Sequence, residues 1–159
     1  MIREVRVYKG SIFKDNRGYL WTSWKKHKRY KINFNHDKFS ISKKNVFRGL
    51  HYDTKTWKLV SCVYGTIFLI IINCDKNSRD YMKAFSTKLS HKDNTQVLVP
   101  PNFANGHLCL SKNCVFHYKI SYKGNYSDVK TQKIIKWNDK RLKINWPIKH
   151  KFIMSDRDK

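Results

Sequence analysis

The sequence predicts an all-β protein with little helix. Apolar and polar residues alternate in many short runs, which is typical of strands that bury one face. Aromatic residues make up 14 % of the chain, and sheets favour aromatic side chains. Turn residues separate the runs at regular intervals, so we expect an antiparallel sandwich or barrel. A cupin-type jelly-roll barrel in a single domain, residues 1–159, fits the length.

The first predicted elements are a strand and a hairpin. Residues 4–9 alternate as a strand does, and a turn at Asp15–Gly18 lies between two apolar runs. The stretch 24–31 is basic with interleaved aromatic residues. We interpret it as a solvent-exposed loop whose charge also suits a phosphate.

The middle of the chain carries the longest apolar runs. Residues 58–64 and 66–73 flank Gly65 and predict a buried hairpin, followed by a polar loop over 76–80. Further strands are predicted at 83–90, 95–100, 107–111 and 114–122.

Within the last of these strands, Tyr118 shares a face with Phe116 and Ile120, so it is expected to point into the barrel. After residue 123 the pattern indicates a turn with a short strand or helix. No linker divides the chain.

The net charge of +23, from 34 Lys+Arg against 11 Asp+Glu, attracts polyanions. Because the lysines are spread along the whole chain, we expect a solvated basic surface with one functional anion site and no nucleic-acid binding. No apolar run is long enough to span a membrane. The N-terminal residues contain no hydrophobic signal segment, which predicts a cytoplasmic protein.

Cysteine and histidine spacing predicts no metal site. The four cysteines form no CxxC pair and lie in strand-like segments, so they are expected to be buried free thiols. Metal-binding cupins use a His-x-His pair. None occurs among the seven histidines of this chain, which are His27, His36, His51, His91, His107, His117 and His150.

One group of residues indicates acid–base chemistry. Residues 45–58 place Arg48, His51 and Lys58 around a glycine, which we expect to form a turn. Tyr118 lies in a later strand, and Asp158 comes just before the C-terminus. A base, an acid on another strand, a cation and an orienting carboxylate together suggest proton abstraction next to a carbonyl.

The motifs resemble those of the RmlC-type nucleotide-sugar 3,5-epimerases, typified by dTDP-4-dehydrorhamnose 3,5-epimerase. The resemblance covers nearly the whole chain in the family's order. It rests on FKDNRG (13–18), FRGLH (47–51), KLVSCVYG (58–65), VPPNFANGH (99–107), YK (118–119), WND (137–139), NWP (145–147) and SDRD (155–158). It implies a cofactor-independent epimerase that works through an enolate.

The resemblance assigns the catalytic roles. His51 matches the general base and Asp158 the carboxylate that orients it, with Asp156 as the competing carboxylate. Tyr118 matches the general acid, because a tyrosine carries its proton at neutral pH. Tyr122 and Tyr126 are alternatives. Lys58 matches the lysine beside the sugar carbonyl.

The resemblance also implies substrate contacts and a homodimer that shares an N-terminal strand. Arg48 suits sugar or phosphate oxygens. Arg17 resembles the residue that reaches the pyrophosphate from the neighbouring subunit. Phe13 is placed against the nucleoside, and Asn105 and His107 are expected to line the pocket.

Departures from the usual motifs favour one branch of the family. Residues 36–39, which include His36 and Lys38, replace the usual Gln-Asp-Asn run, and Asn105 replaces a substrate-contacting histidine. Together with the segments 53–65 and 122–128, they resemble the GDP-4-keto-heptose C3 or C3/C5 epimerases of bacterial capsular polysaccharide biosynthesis. The alternatives are a dTDP-4-keto-6-deoxyglucose 3,5-epimerase, an isomerase that moves the keto group, and a non-catalytic basic cupin that binds polyanions.

Overall fold

A computed structural model describes residues 2, 4–25, 32–124, 132–148 and 151–159. In this part of the chain nearly all regular structure is β. The strands are β1 (Arg6–Lys9), β2 (Phe13–Asp15), β3 (Gly18–Leu20), β4 (His36–Lys43), β5 (Phe47–Tyr52), β6 (Trp57–Tyr64), β7 (Thr66–Asn73), β8 (Ala84–Ser90), β9 (Thr95–Val99), β10 (Phe103–Cys109), β11 (Asn113–Ser121) and β12 (Lys133–Ile134). Two 3₁₀ turns follow, η1 (Lys140–Leu142) and η2 (Asp156–Asp158).

The strands form two antiparallel sheets that face each other. The first sheet has the order β1-β9-β6-β11-β4 and the second the order β12-β5-β10-β7-β8, while β2 and β3 pair as a separate hairpin. Consecutive strands therefore alternate between sheets in several places, as in a jelly roll. The all-β prediction is confirmed.

Several elements differ from the sequence prediction. β4 and β5 were not predicted as strands, because polar and charged residues interrupt their apolar residues, whereas β6 and β7 carry long apolar runs. β10 begins at Phe103, ahead of the expected 107–111. The glycine expected in a turn, Gly49, lies inside β5. A Cβ at this position would lie 2.5 Å from Gly106 Cα on β10, so close strand packing requires glycine here.

The main core fills the space between the two sheets. It combines inward residues of β6, β9 and β11 with those of β7 and β10, including Val60, Val97, Phe116, Leu69 and Ile71. Phe116, Tyr118 and Ile120 lie on one face of β11 as predicted, with Tyr118 packed against this core.

A second core lies on the outer face of the second sheet. Phe47, Phe68 and Ile70 pack there under the C-terminal segment, which contributes Trp146 and Phe152. β7 is therefore covered on both faces, which explains why its sequence is an unbroken apolar run. This packing also fixes the path of the C-terminal segment.

The four cysteines are free and buried, as predicted. Within the described residues, no helix has the length and apolar character needed to cross a bilayer.

Candidate active site

A cavity of about 310 Å³ opens between the two sheets at one end of the barrel. Eight of the residues singled out from the sequence line it: Lys38, Arg48, His51, Lys58, Asn105, His107, Tyr118 and Asp158. They come from β4, β5, β6, β10, β11 and η2. The fold thus gathers residues that are far apart in the sequence around one cavity.

A short polar contact in the cavity joins His51 and Asp158. His51 Nε2 lies 2.7 Å from Asp158 Oδ1, and the two side chains are 20 % and 5 % exposed. Burial alone would raise the pKa of Asp158, but the hydrogen bond and charge of His51 hold that pKa below its usual value. The competing carboxylate, Asp156, instead pairs with Lys159.

The C-terminal segment places Asp158 by pairing with the start of β5. Phe47 N donates to Ile153 O at 2.9 Å, and Ile153 N donates to Asn45 O at the same distance. Phe152 is anchored in the second core. η2 then turns Asp158 towards His51, so the C-terminus is held by backbone hydrogen bonds and a buried aromatic ring.

A bulge brings Arg48 and His51 to the same face of β5. These residues are three apart, and regular alternation would send their side chains to opposite faces. On β10, however, Asn105 pairs with His51 and His107 pairs with Arg48, with a register shift between the pairs. The extra residue on β5 puts Arg48 and His51 on the same face of the strand. The side chains of Arg48, His51, Asn105 and His107 therefore all line the cavity.

Lys58 enters the cavity from the first sheet and meets Asn105 of the second. Lys58 Nζ donates to Asn105 Oδ1 at 2.8 Å and to the backbone oxygen of His51 at 3.4 Å. Lys58 is only 5 % exposed. Both of these acceptors are neutral oxygen atoms.

Tyr118 lines the cavity from β11 of the first sheet, whereas His51 lies on β5 of the second. The ring of Tyr118 packs edge-on against that of Phe116, with the ring centroids 4.5 Å apart. Tyr122 is absent from the described lining of the cavity, and Tyr126 lies outside the described residues.

His107 forms part of the cavity wall deep in the barrel. It is 1 % exposed and its ring lies 4.2 Å from that of Phe116. Burial, with a smaller effect of Arg48, lowers the pKa of His107 to about 3. It is therefore a neutral polar group, and its Nε2 has no hydrogen-bond partner among the described residues.

The cavity carries an excess of positive charge. Lys38, Arg48, Lys58 and Arg157 line it, whereas Asp158 is the one carboxylate in its described lining. Arg48 Nε donates to Ser42 Oγ at 3.0 Å, which orients the guanidinium group. Such a set of cations suits the diphosphate of a nucleotide sugar.

Sequence reasoning missed four polar residues of the cavity, Ser40, Gln132, Ser155 and Arg157. Arg157 Nη2 donates to Gln132 Oε1 at 3.1 Å. Arg157 lies beside Asp158 in the SDRD motif, so a basic residue next to the orienting carboxylate was an available signal. Gln132 had none, because the sequence around it follows no regular pattern.

Three expected substrate contacts lie away from this cavity. Phe13 and Arg17 belong to the β2–β3 hairpin, where Phe13 is 64 % exposed and Arg17 pairs with Asp15. His36 begins β4 and its Nδ1 lies 2.9 Å from Asn35 Oδ1. The fold therefore separates these three residues from the group around His51, because the hairpin and the start of β4 lie outside the cavity lining.

Another histidine–carboxylate pair lies outside the cavity. His117 Nε2 contacts Asp37 Oδ1 at 2.7 Å, and Lys119 contacts the other oxygen of Asp37 at the same distance. These residues are on the outer face of the first sheet, as the alternation along β11 predicts. A histidine–carboxylate pair alone therefore does not identify a candidate active site. His51 differs from His117 because it lines a cavity and has a buried lysine beside it.

A jelly-roll barrel with a cationic cavity and this set of side chains defines the class of a cupin-type carbohydrate isomerase. The sequence profile of dTDP-4-dehydrorhamnose 3,5-epimerases matches residues 1–159. The chain belongs to the dTDP-4-dehydrorhamnose 3,5-epimerase family and is an isomerase acting on nucleotide-linked 4-keto sugars.

Relatives and solved structures agree with this assignment. The dTDP-4-dehydrorhamnose 3,5-epimerase of Escherichia coli K12 is 33 % identical over 165 residues, covering 99 % of this chain and 88 % of the relative. The crystal structure of the Legionella pneumophila enzyme with dTDP-4-keto-L-rhamnose matches with a TM-score of 0.91 and 30 % identity, over 99 % of this chain and 86 % of that one. The Bacillus anthracis enzyme with TDP and PPi bound matches with a TM-score of 0.89 and 28 % identity, over 98 % and 91 % of the two chains.

Proposed function

We propose that this chain epimerises a nucleotide-linked 4-keto sugar at C3, or at C3 and C5, with His51 as base and Tyr118 as acid. The observation that carries the proposal is the His51–Asp158 pair, with its carboxylate buried, in a cavity with Tyr118 on the other sheet. A base and an acid on different walls suit a reaction that removes a proton from one face of a ring and returns it to the other.

The contact with Asp158 supports Nδ1 of His51 as the nitrogen that reacts. Because the carboxylate accepts from Nε2–H, the lone pair on Nδ1 remains for the substrate. His51 Nδ1 takes the proton from the carbon next to the C4 ketone. The electron pair of that C–H bond forms the enolate double bond, and the carbonyl electrons move to oxygen.

The second half of the reaction restores the ketone with inverted configuration. The enolate collapses as its carbon takes a proton from the Tyr118 hydroxyl on the opposite face. The resulting phenolate recovers a proton, and the imidazolium of His51 releases one, by exchange with solvent. Lys58 lowers the energy of the enolate because its charge lies beside the oxygen that becomes negative.

The relatives are named as enzymes of dTDP-4-dehydrorhamnose, so dTDP-4-keto-6-deoxyglucose is the substrate that the comparisons favour. Two residues favour GDP-4-keto-D-lyxo-heptose as a second candidate. Asn105 and His107 add neutral polar atoms to the cavity wall, which suits a sugar with an additional hydroxyl group. A role in capsule biosynthesis and a cytoplasmic location stay predictions.

We further propose that the active enzyme is a homodimer in which Phe13 and Arg17 complete the site of the partner subunit. The hairpin that bears them is exposed and away from the cavity of its own chain. The edge strand β4 also exposes apolar side chains, with Phe39 at 63 % and Ile41 at 73 %. A second copy covering this edge would bury them.

Mixing two impaired variants tests the shared site. His51→Ala and Arg17→Ala homodimers are each expected to be strongly impaired. Mixed dimers would contain one site with both wild-type residues, so co-refolding should restore about a quarter of wild-type activity. If both homodimers are impaired and the mixture gains no activity, Arg17 acts within its own chain, and an active Arg17→Ala homodimer would mean that Arg17 has no role.

Deuterium exchange tests the chemistry itself. Each candidate substrate is incubated with the protein in D₂O and analysed by NMR, and deuterium at C3, or at C3 and C5, is the expected result. His51→Ala should abolish exchange, whereas Tyr118→Phe should retain exchange and lose inversion. Tyr122→Phe is the matched control. No exchange with either substrate would contradict the proposed activity, and salt-sensitive binding of long polyanions would then favour a binding protein.

A further inference from the structure

The contact between Lys58 and Asn105 fixes the orientation of the Asn105 carboxamide. An ammonium group only donates hydrogen bonds, so the atom that lies 2.8 Å from Lys58 Nζ is necessarily the carbonyl oxygen of Asn105. The two side chains are 5 % and 6 % exposed, which leaves little room for either to turn away. The amide nitrogen of Asn105 must therefore be directed away from the lysine.

The amide nitrogen of Asn105 is available to a ligand in the cavity. Within the described part of the chain, Asn105 Nδ2 donates no hydrogen bond, and it is not among the side-chain atoms shut off from solvent. Asn105 lines the cavity and pairs in register with His51 on the adjacent strand. The N–H groups thus belong to a residue that contacts the buried cation and pairs with the histidine.

We propose that Asn105 Nδ2 donates a second hydrogen bond, beside that of Lys58, to the substrate oxygen that becomes negative in the enolate. This inference rests on the proposed function. When His51 Nδ1 takes the proton, the carbonyl electrons move to oxygen, and the two donors bind the oxyanion without transferring a proton. When Tyr118 protonates the carbon, the ketone re-forms and both hydrogen bonds weaken.

A preorganised pair of donors stabilises the transition state more than the ground state, because negative charge develops only as the proton leaves. Lys58 supplies the charge, and the contact with Asn105 keeps both donors in place before the substrate arrives. The carboxamide therefore has two separable parts. Its oxygen positions Lys58, and its nitrogen contacts the reacting oxygen.

Substitutions at Asn105 separate these two parts. Asn105→Asp keeps an oxygen that accepts from Lys58 and removes the N–H donors. Asn105→Leu removes both groups without adding charge. Asn105→His restores an N–H donor in the cavity. The measurement is the rate constant for deuterium incorporation from D₂O with saturating substrate, together with KM.

The donor role predicts that Asn105→Asp and Asn105→Leu both lower the exchange rate about 100-fold or more, with a smaller change in KM. The Asn105→His variant should exchange at least tenfold faster than the Asn105→Leu variant. If Asn105→Asp exchanges within about threefold of wild type, or Asn105→His is as slow as Asn105→Leu, the carboxamide nitrogen has no such role.

The control for burying an additional carboxylate is Asn73→Asp. Asn73 is fully buried outside the cavity, and its amide donates to Ser78 Oγ at 2.9 Å. A serine hydroxyl can reverse this bond and donate to an aspartate. Asn73→Asp should therefore retain wild-type exchange, with its folding checked by thermal unfolding. If the wild-type protein shows no exchange, the proposed function fails. If the wild type exchanges and Asn105→Asp does so equally well, the inference about Asn105 alone fails.

Discussion

At the scale of single residues, the proposed mechanism gives the contact between Asp158 and His51 a chemical purpose. Asp158 is 5 % exposed and holds His51 through Nε2. A buried carboxylate at this position fixes the tautomer of the imidazole and stabilises the imidazolium that forms when the base takes a proton. The charge of Asp158, and not only its hydrogen bond, should therefore matter for the rate.

Asp158→Asn tests the importance of this charge. The variant keeps the size of the side chain but removes the negative charge and favours the wrong tautomer of His51. We expect a loss of about 10² to 10⁴ in the rate of deuterium exchange, by comparison with orienting carboxylates of other acid–base enzymes. The measurement is exchange at C3 under single-turnover conditions.

The matched control is Asp156→Asn, which changes an exposed carboxylate paired with Lys159 and should leave exchange unchanged. Equal rates in the Asp158→Asn variant and the wild type would mean that Asp158 does not assist the base.

At the scale of the elements, the site depends on the close approach of β5 and β10. The register shift between these strands puts Arg48 and His51 on one face. At the shift, the backbones approach so closely that a Cβ on Gly49 would lie 2.5 Å from Gly106 Cα and 2.9 Å from Asn105 O. Because the obstructing atoms belong to the backbone, a side chain here has to separate the two strands.

Gly49→Ala and Gly18→Ala form a matched pair that isolates this clash. Both glycines have positive φ, +130° and +134°, but nothing lies within 4 Å of a Cβ at Gly18. Both variants should incur backbone strain of about 1–3 kcal/mol. Gly49→Ala should lower the free energy of unfolding by several kcal/mol more than Gly18→Ala does, and it should also reduce activity.

Urea unfolding and exchange assays measure these two effects. Similar stabilities of the two variants would mean that the strands adjust to a methyl group at little cost.

At the scale of the whole molecule, the buried His107 makes stability depend on pH. Its pKa is about 3 in the folded protein against 6.5 for the free side chain. Between these values the unfolded chain binds a proton that the folded chain does not, so stability falls as the pH falls from 6.5 towards 3. The slope for one proton is about 1.4 kcal/mol per pH unit.

His107→Phe removes this titration and keeps a ring against Phe116. Between pH 6.5 and pH 4.5, the wild type should lose roughly 2 kcal/mol more than the variant in the free energy of unfolding, because the unfolded side chain is already half protonated at pH 6.5. Urea titrations at several pH values measure the difference. The carboxylates of the protein titrate in both proteins and therefore cancel in the comparison. Parallel curves for the two proteins would show that His107 is protonated in the folded state.

Much of the molecule could be predicted from local sequence. The alternation in β11 predicted that Tyr118 faces the barrel and His117 faces outward, because strand residues alternate between two faces. The unbroken apolar run of β7 predicted a buried strand. The motif around His51 and the SDRD segment predicted which residue types meet, and eight of the expected residues line one cavity.

Other features depend on contacts that the sequence does not reveal. Alternation would separate Arg48 from His51, and only the bulge against β10 brings them together. Arg157 and Gln132 meet because the C-terminal segment runs beside β5, a consequence of packing Phe152 into the second core. The β2–β3 hairpin was expected to reach a nucleotide, but within a single chain it lies away from the cavity.

The fold class, the family motifs and the reactive groups could be predicted from the sequence, because strand periodicity and side-chain chemistry are local properties. Only the folded chain shows which carboxylate holds His51, which oxygen holds Lys58 and which way the Asn105 amide faces. His51 Nε2 lies 2.7 Å from Asp158 Oδ1, and Lys58 Nζ lies 2.8 Å from Asn105 Oδ1. Both contacts join residues that are far apart in the chain. They are set by strand register and by packing between sheets, which no local pattern specifies.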